Sequence, residues 1–170
     1  MRNLLPVTGL VIEALRDQFM DAEHPPLGGV VDQIEHRPGA DVALDGLFVG
    51  NCPGLVWANV LRMWRTDQFP AEVDTVAPCR GMPVAAIQVG AARCVGTVDA
   101  QGYPPTAERM EQDAVVGLDD AARLERAVCR AAALADERGL TLNATWSALE
   151  PIGPQGGVLA WVQTLTVQLA

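Results

Sequence analysis

Lysine is absent from this chain: all 12 basic residues are arginines. That excludes chemistry built on a lysine amine, such as Schiff-base catalysis or a Walker-type phosphate loop. Histidine is scarce, with only His24 and His36, and both read as solvated loop residues rather than general bases or ligands. Aromatic residues make up 5% and charged residues 19%, the latter below the usual quarter. No run is long and apolar enough to span a bilayer, so no membrane association is expected. The opening stretch, residues 1–15, has no small-residue cleavage site, and its short apolar run soon meets Glu13 and then Asp17. It reads as an amphipathic helix rather than a signal peptide, which implies a soluble protein of the cytoplasm. The four cysteines, Cys52, Cys79, Cys94 and Cys129, form no C-x-x-C pair and match no zinc spacing. They read as small buried hydrophobes, and no metal or cofactor is expected.

What is present fits one domain. The chain has 170 residues, 49% of them apolar, enough for a sizeable core. The formal charge is −9, and the arginines are scattered. A domain that grips phosphates needs clustered cations, so direct DNA binding is disfavoured. An acidic surface can nevertheless stand beside DNA that must slide past, because like charges repel.

Periodicity places a first helix over residues 6–20, with Leu10, Val11, Ala14, Leu15 and Phe19 on one stripe. Residues 21–51 are loop-rich, with short pieces of structure around Val30–Ile34 and Leu44–Val49. Strands are expected at 55–65 and 84–96, the second with Ile87, Val89 and Val95 on one face. A hairpin centred near residue 73 would set Cys52 opposite Cys94. A reducing compartment argues against a disulfide there. Thr106 is a candidate N-cap, with Glu108 in the first turn of a helix over 107–116. A break near Gly117 leads into a longer helix over 119–138, stopped by Gly139. Its predicted inner face carries Leu118, Ala121, Leu124, Val128, Ala131 and Ala135, and its outer face Arg123, Arg126, Arg130 and Glu137.

Residues 142–149 alternate, with Leu142, Ala144, Trp146 and Ala148 predicted inward. The final strand, 158–169, has Leu159, Trp161, Leu165, Val167 and Leu169 on one face. These last two strands should pair antiparallel across a turn cluster, Glu150–Gly157. The order α-β-β-α-β-β predicts an α+β fold: a mostly antiparallel sheet of about four strands with helices packed on one face. The other face is rich in Thr, Gln and Asn but carries Trp57 or Trp64, a mixture suited either to solvent or to a subunit interface.

No residues assemble into an evident catalytic set. Cys79-Arg80-Gly81 lacks a signature tying the thiol to a histidine, and Asp119-Asp120 and Glu111 with Asp113 read as first-turn and surface charges. Gly153-Pro154-Gln155-Gly156-Gly157 has no dinucleotide spacing and precedes a strand rather than a helix, which argues against a phosphate cradle.

Three runs carry a resemblance: 52–72 (CPGLVWANVLRMWRTDQFPAE), 93–114 (RCVGTVDAQGYPPTAERMEQDA) and 150–169 (EPIGPQGGVLAWVQTLTVQL). They resemble tail terminators, small neck proteins of long-tailed phages of actinobacteria. In that family an Arg-Cys strand leads into a D-x-x-G-x-P-P-T turn and a long helix, then a P-x-G-P-Q-G-G loop and a Thr-rich strand. Here these are Arg93-Cys94, Asp99–Thr106 and Pro151–Gly157; the family often has a cysteine after the double glycine, where this chain has Val158. The similarity spans roughly residues 52–170. It implies a structural virion protein, not an enzyme, assembled in the host cytoplasm. Its subunits would form a homohexameric ring on the last ring of tail tube protein, end tube polymerisation and dock the head-completion or connector protein. DNA would pass through the lumen without specific binding. The loops expected to make protein contacts are 66–82, with Asp67, Phe69 and Arg80, and 150–157, with Pro151, Gly153, Pro154, Gln155, Gly156 and Gly157. The competing readings are a head-completion adaptor, which would be helix-rich, a stopper, which would be a small β-barrel, and a small enzyme or ligand-binding domain, which would bring His24, His36 or Cys79 into a deep pocket.

Overall fold

A computed structural model describes residues 3–40, 42, 44, 47, 52, 54–72 and 80–170. The chain runs α1 (Leu4–Phe19), β1 (Ile34–His36), β2 (Leu55–Thr66), β3 (Met82–Cys94), α2 (Ala107–Glu137), β4 (Thr141–Trp146), β5 (Glu150–Gln155) and β6 (Val158–Leu169). The α+β class holds, but the sheet has six strands rather than about four, in the order β1-β2-β3-β6-β4 with β5 also on β6. It is mixed: β1 runs parallel to β2, and the other pairs are antiparallel. The two unexpected strands left weak traces in the sequence. β1 spans three residues, too few for alternation to show. β5 contains Pro151 and Pro154, which imitate a turn. Proline is tolerated there because β5 lies on the sheet edge, where an N–H facing outward has no ladder to join.

β4 and β5 lie end to end along one edge of β6. Trp146 pairs with Leu165, the N–H of Ser147 donates to Thr164 O (2.9 Å), and Glu150 pairs with Val162. The turn cluster is therefore mostly strand, and only Gly156 and Gly157 turn the chain. The edge position also overturns the inward reading of 142–149. Leu142, Ala144, Trp146 and Ala148 are exposed, because among the described residues no strand pairs with β4 beyond β6.

Both helices pack on one face of the sheet. Leu10, Val11, Ala14, Leu15 and Phe19 of α1 are buried as expected, against Val56, Ala58, Ile87 and Val89. α2 is continuous over 31 residues, about 46 Å at 1.5 Å per residue, with no break at Gly117. That glycine serves contact instead: a Cβ there would sit 3.0 Å from Leu159 Cδ2 and 3.1 Å from Trp161 Nε1, so its absence lets the helix lie close on β6. The Thr106 hydroxyl accepts from Arg109 N–H (3.2 Å), making the predicted N-cap. At the other end, Gly139 (φ 62°) donates to Asp136 O (2.8 Å) and Leu140 to Ala135 O (2.9 Å), the paired bonds of a Schellman stop. Two face assignments on α2 are corrected. Leu118 is exposed, and Arg123 is buried, with its guanidinium against Asp119 and the carbonyls of Gln18 and Pro25.

The opposite face has a second, smaller core. Leu55, Trp57, Ala92, Val158, Ala160 and Val162 lie beneath Leu47, with Val42, Leu44 and Cys52 packed around them. Val42, Leu44, Leu47 and Cys52 thus cover part of the face expected to be solvated or to meet a neighbour. The reading of Leu44–Val49 as a short element falls partly outside the described residues.

Candidate functional site

The two stretches expected to make protein contacts lie at opposite ends of the sheet. β2 ends and β3 begins at one end, where Thr66 pairs with Met82 and Val84 with Gln168. Cys94 pairs with Val158 at the other. Thirteen residues of β3 separate them, roughly 40 Å at 3.3 Å per residue.

The Val158 end gathers both motif turns. In the first, Asp99 Oδ1 accepts from the N–H groups of Gln101 and Tyr103 (2.9 Å each), and Asp99 N–H donates to Tyr103 O (3.0 Å). Pro104 and Pro105 then lead to the Thr106 cap. In the second, Pro151, Gly153, Pro154 and Gln155 are exposed on β5, and Gly156-Gly157 close the hairpin. Gly153 (φ 96°) has no room for a side chain, since a Cβ would lie 2.6 Å from Val158 O. The turns are tied together: Val95 N–H donates to Gly157 O (2.8 Å), and Gly96 N–H donates to Asp113 Oδ2 (2.7 Å) on α2. A groove of about 280 Å³ runs beside the hairpin, lined by Leu44, Ile152, Gly153, Gln155, Gly156, Val158 and Ala160.

Arg93 anchors this end. Its Nε and a terminal nitrogen grip Asp120 (2.8 and 3.1 Å), and its terminal nitrogens also donate to Gly28 O (2.7 Å) and Gly29 O (3.0 Å). Asp120 is therefore a buried partner within the helix, not the first-turn surface charge expected. Burial pushes its carboxyl above the ordinary value, against the pull of Arg93. Asp119 moves the other way. Burial raises it, but the N–H of Leu27 and the Arg123 guanidinium outweigh that and hold it below the ordinary value. Asp113, also read as a surface charge, is half-buried between Gly96 N–H and Arg109.

At the other end, Asp67 and Arg80 are exposed and Phe69 is half-buried. Thr66 Oγ1 accepts from Gln68 N–H (3.0 Å), Trp64 Nε1 donates to Ala71 O (3.3 Å), and Arg65 donates to Gly81 O (2.8 Å). Arg62 pairs with Glu72 and lies over the Trp64 ring at 5.1 Å. Residues 73–79, and with them Cys79, lie outside the described residues.

The histidines do not converge. His24 is an exposed turn residue beside Asp21, whose carboxyl is lowered chiefly by the His24 N–H it accepts. His36 is not a loop residue but ends β1, on an open, largely apolar groove of about 400 Å³ shared with Leu4, Leu5, Arg37 and Val60. Among the described residues, no three His, Cys, Asp or Glu side chains group as metal ligands, and no helix is long and apolar enough to cross a membrane.

The cysteines depart most from expectation. Cys52 and Cys94 form a disulfide, and Cys129 is exposed on α2 rather than buried. The hairpin arithmetic pointed to this pairing; the compartment argument pointed away from it. No protein-family model matches the chain, and no curated protein matches it.

Proposed function

We propose that this chain is a structural subunit of a phage neck, a tail terminator. It would form a hexameric ring that caps the tail tube, ends tube polymerisation and receives the head-side connector. The observation that carries the reading is the arrangement of its contact loops. The resemblance turns, 99–106 and 151–157, cluster at one end of the sheet, and residues 66–72 and 80–81 lie at the other. A ring that joins a tube to a connector needs two such axial surfaces. The open sheet with two helices suits this reading better than a helix-rich adaptor or a closed barrel stopper. The net charge of −9 is compatible with a lumen that lets DNA slide.

The test is a native mass measurement of the purified protein, alone and mixed with tail tube protein, with negative-stain images of the mixture. A six-fold ring seated on tube ends is expected. A chain that remains monomeric in the presence of tube protein overturns the proposal.

A further inference from the structure

We propose that this chain binds a second copy of itself edge to edge: Trp146, on the outer edge of β4, enters the apolar groove between α1 and β2 on the opposite edge of the next copy. The contact rests on the neck-ring reading and names the lateral surfaces that would join its subunits, leaving the strand ends for tube and connector. Three observations carry it. First, β4 and β5 have β6 as their one strand partner among the described residues, and in them only Thr141 is buried; Trp146 is 44% exposed. A bare strand edge and an exposed aromatic side chain both suit association. Second, the opposite edge of the sheet holds the open groove of about 400 Å³, lined by Leu4, Leu5 and Thr8 of α1 and by Ala58 and Val60 of β2. Leu5 is 81% exposed there. Third, the two features stand level. Trp146 pairs with Leu165, Leu165 with Ile87, and Ile87 with Val60. One row of residues thus crosses the sheet from the indole to the groove, on the face that carries the helices.

A copy set beside the first at the same height, with its strands running the same way, brings its Trp146 to the neighbour's Val60 without sliding along the strands. β4 runs opposite to β2, three antiparallel pairings away, so the facing strands are antiparallel. Charge favours the same occupant. Glu150 is the sole charged residue of β4 and β5. Level with it, through Val162, Gly90 and Trp57, lies Glu35 on the other edge. The partner of Glu35, Arg37 (2.7 Å), also lines the groove and can serve both carboxylates. Edge and groove are different surfaces with no rise between them, the condition under which a repeated contact closes a ring rather than running on as a helix.

The test compares the unsubstituted chain with Trp146→Ala and with Leu5→Glu, by sedimentation velocity and native mass, with no other protein present. Both substituted side chains are exposed, and an acid suits the first turn of α1. Far-UV circular dichroism checks the fold; should Trp146→Ala not fold, Ala144→Arg, exposed on the same face of β4, replaces it. The unsubstituted chain should self-associate, and either substitution should weaken that by at least about tenfold, the loss of one anchor. Mixed, the two variants should form a one-to-one pair and nothing larger. The intact edge of Leu5→Glu fits the intact groove of Trp146→Ala, and the remaining edge and groove are both spoiled. A monomeric unsubstituted chain, or a mixture no heavier than its components, overturns the proposal. So does association lost in Trp146→Ala but kept in Leu5→Glu, which marks a two-fold pairing of β4 with β4. Rings on tail tubes that persist in both variants would sink this interface and leave the neck reading standing. Association through edge and groove that leaves tube ends bare would do the reverse.

Discussion

Arg93 joins three parts of the chain through one guanidinium: β3, the loop at Gly28 and Gly29, and Asp120 on α2. Side-chain exposure is 11% for Arg93 and 3% for Asp120, so each needs the other to be tolerated where it lies. Truncating one partner strands a buried charge. Asp120→Ala should therefore destabilise the fold by about 3–5 kcal/mol, read as a fall in the urea midpoint. The neighbouring carboxylate sets a pH dependence of definite sign. Asp119 is held below its ordinary value in the folded chain, so its contribution is full above that value and is lost as pH falls through the lowered one. Asp120 is held above it, so its contribution is full below the ordinary value and is lost as pH rises through the raised one. Urea midpoints followed from about pH 6 down to about pH 3 should fall less in Asp119→Asn than in the unsubstituted protein. An equal fall in both would show that Asp119 is not a source of acid sensitivity.

Among the elements, β2 and β3 are fitted together where Trp57 crosses Gly90. They are register partners, and the indole occupies the space where a side chain at Gly90 would project. Gly90→Ala must displace that ring from the second core. It should cost about 1–3 kcal/mol, visible as a lower melting temperature with altered tryptophan emission. Much at this scale was legible in the sequence. The stripe of α1, the Thr106 cap and the Gly139 stop all follow from local chemistry, and local chemistry is what formed there. The misses share a cause. Alternation reveals that a strand has two faces, not whether anything covers them, so β4 read as buried. An arginine on a helix reads as solvated unless its partners are known, and beyond Asp119 one turn back those of Arg123 come from residues 18 and 25. For the loops expected to make contacts, residue types marked 66–82 and 150–157, but the placement of their described residues at opposite ends depends on which strands neighbour which. The β3–β6 pairing that decides it has no local signature.

For the whole molecule, the disulfide closes a separation of 42 residues that contains all of β2 and β3. On the chain-entropy account, a loop of that length contributes about 4 kcal/mol by restricting the unfolded chain. Denaturant titrations with and without reductant should differ by about that amount. The cross-link therefore strengthens the end of the sheet where Cys94 pairs with Val158.

The β3–β6 pairing also has a kinetic consequence. Apart from β1, the sheet is two hairpins, β2–β3 and β4/β5–β6, each built from neighbours in the chain, joined along a seam whose paired residues Cys94 and Val158 are 64 positions apart. Each hairpin can close early, whereas the seam must wait for a long, entropically costly closure. In stopped-flow refolding, truncating Ile87 or Leu165, which pair across the seam, should slow folding. Truncating Trp146 on the edge should mainly hasten unfolding. Until the seam closes, two unpaired strand edges face solvent, and a newly made chain in a crowded cell is then most open to pairing with the wrong copy of itself.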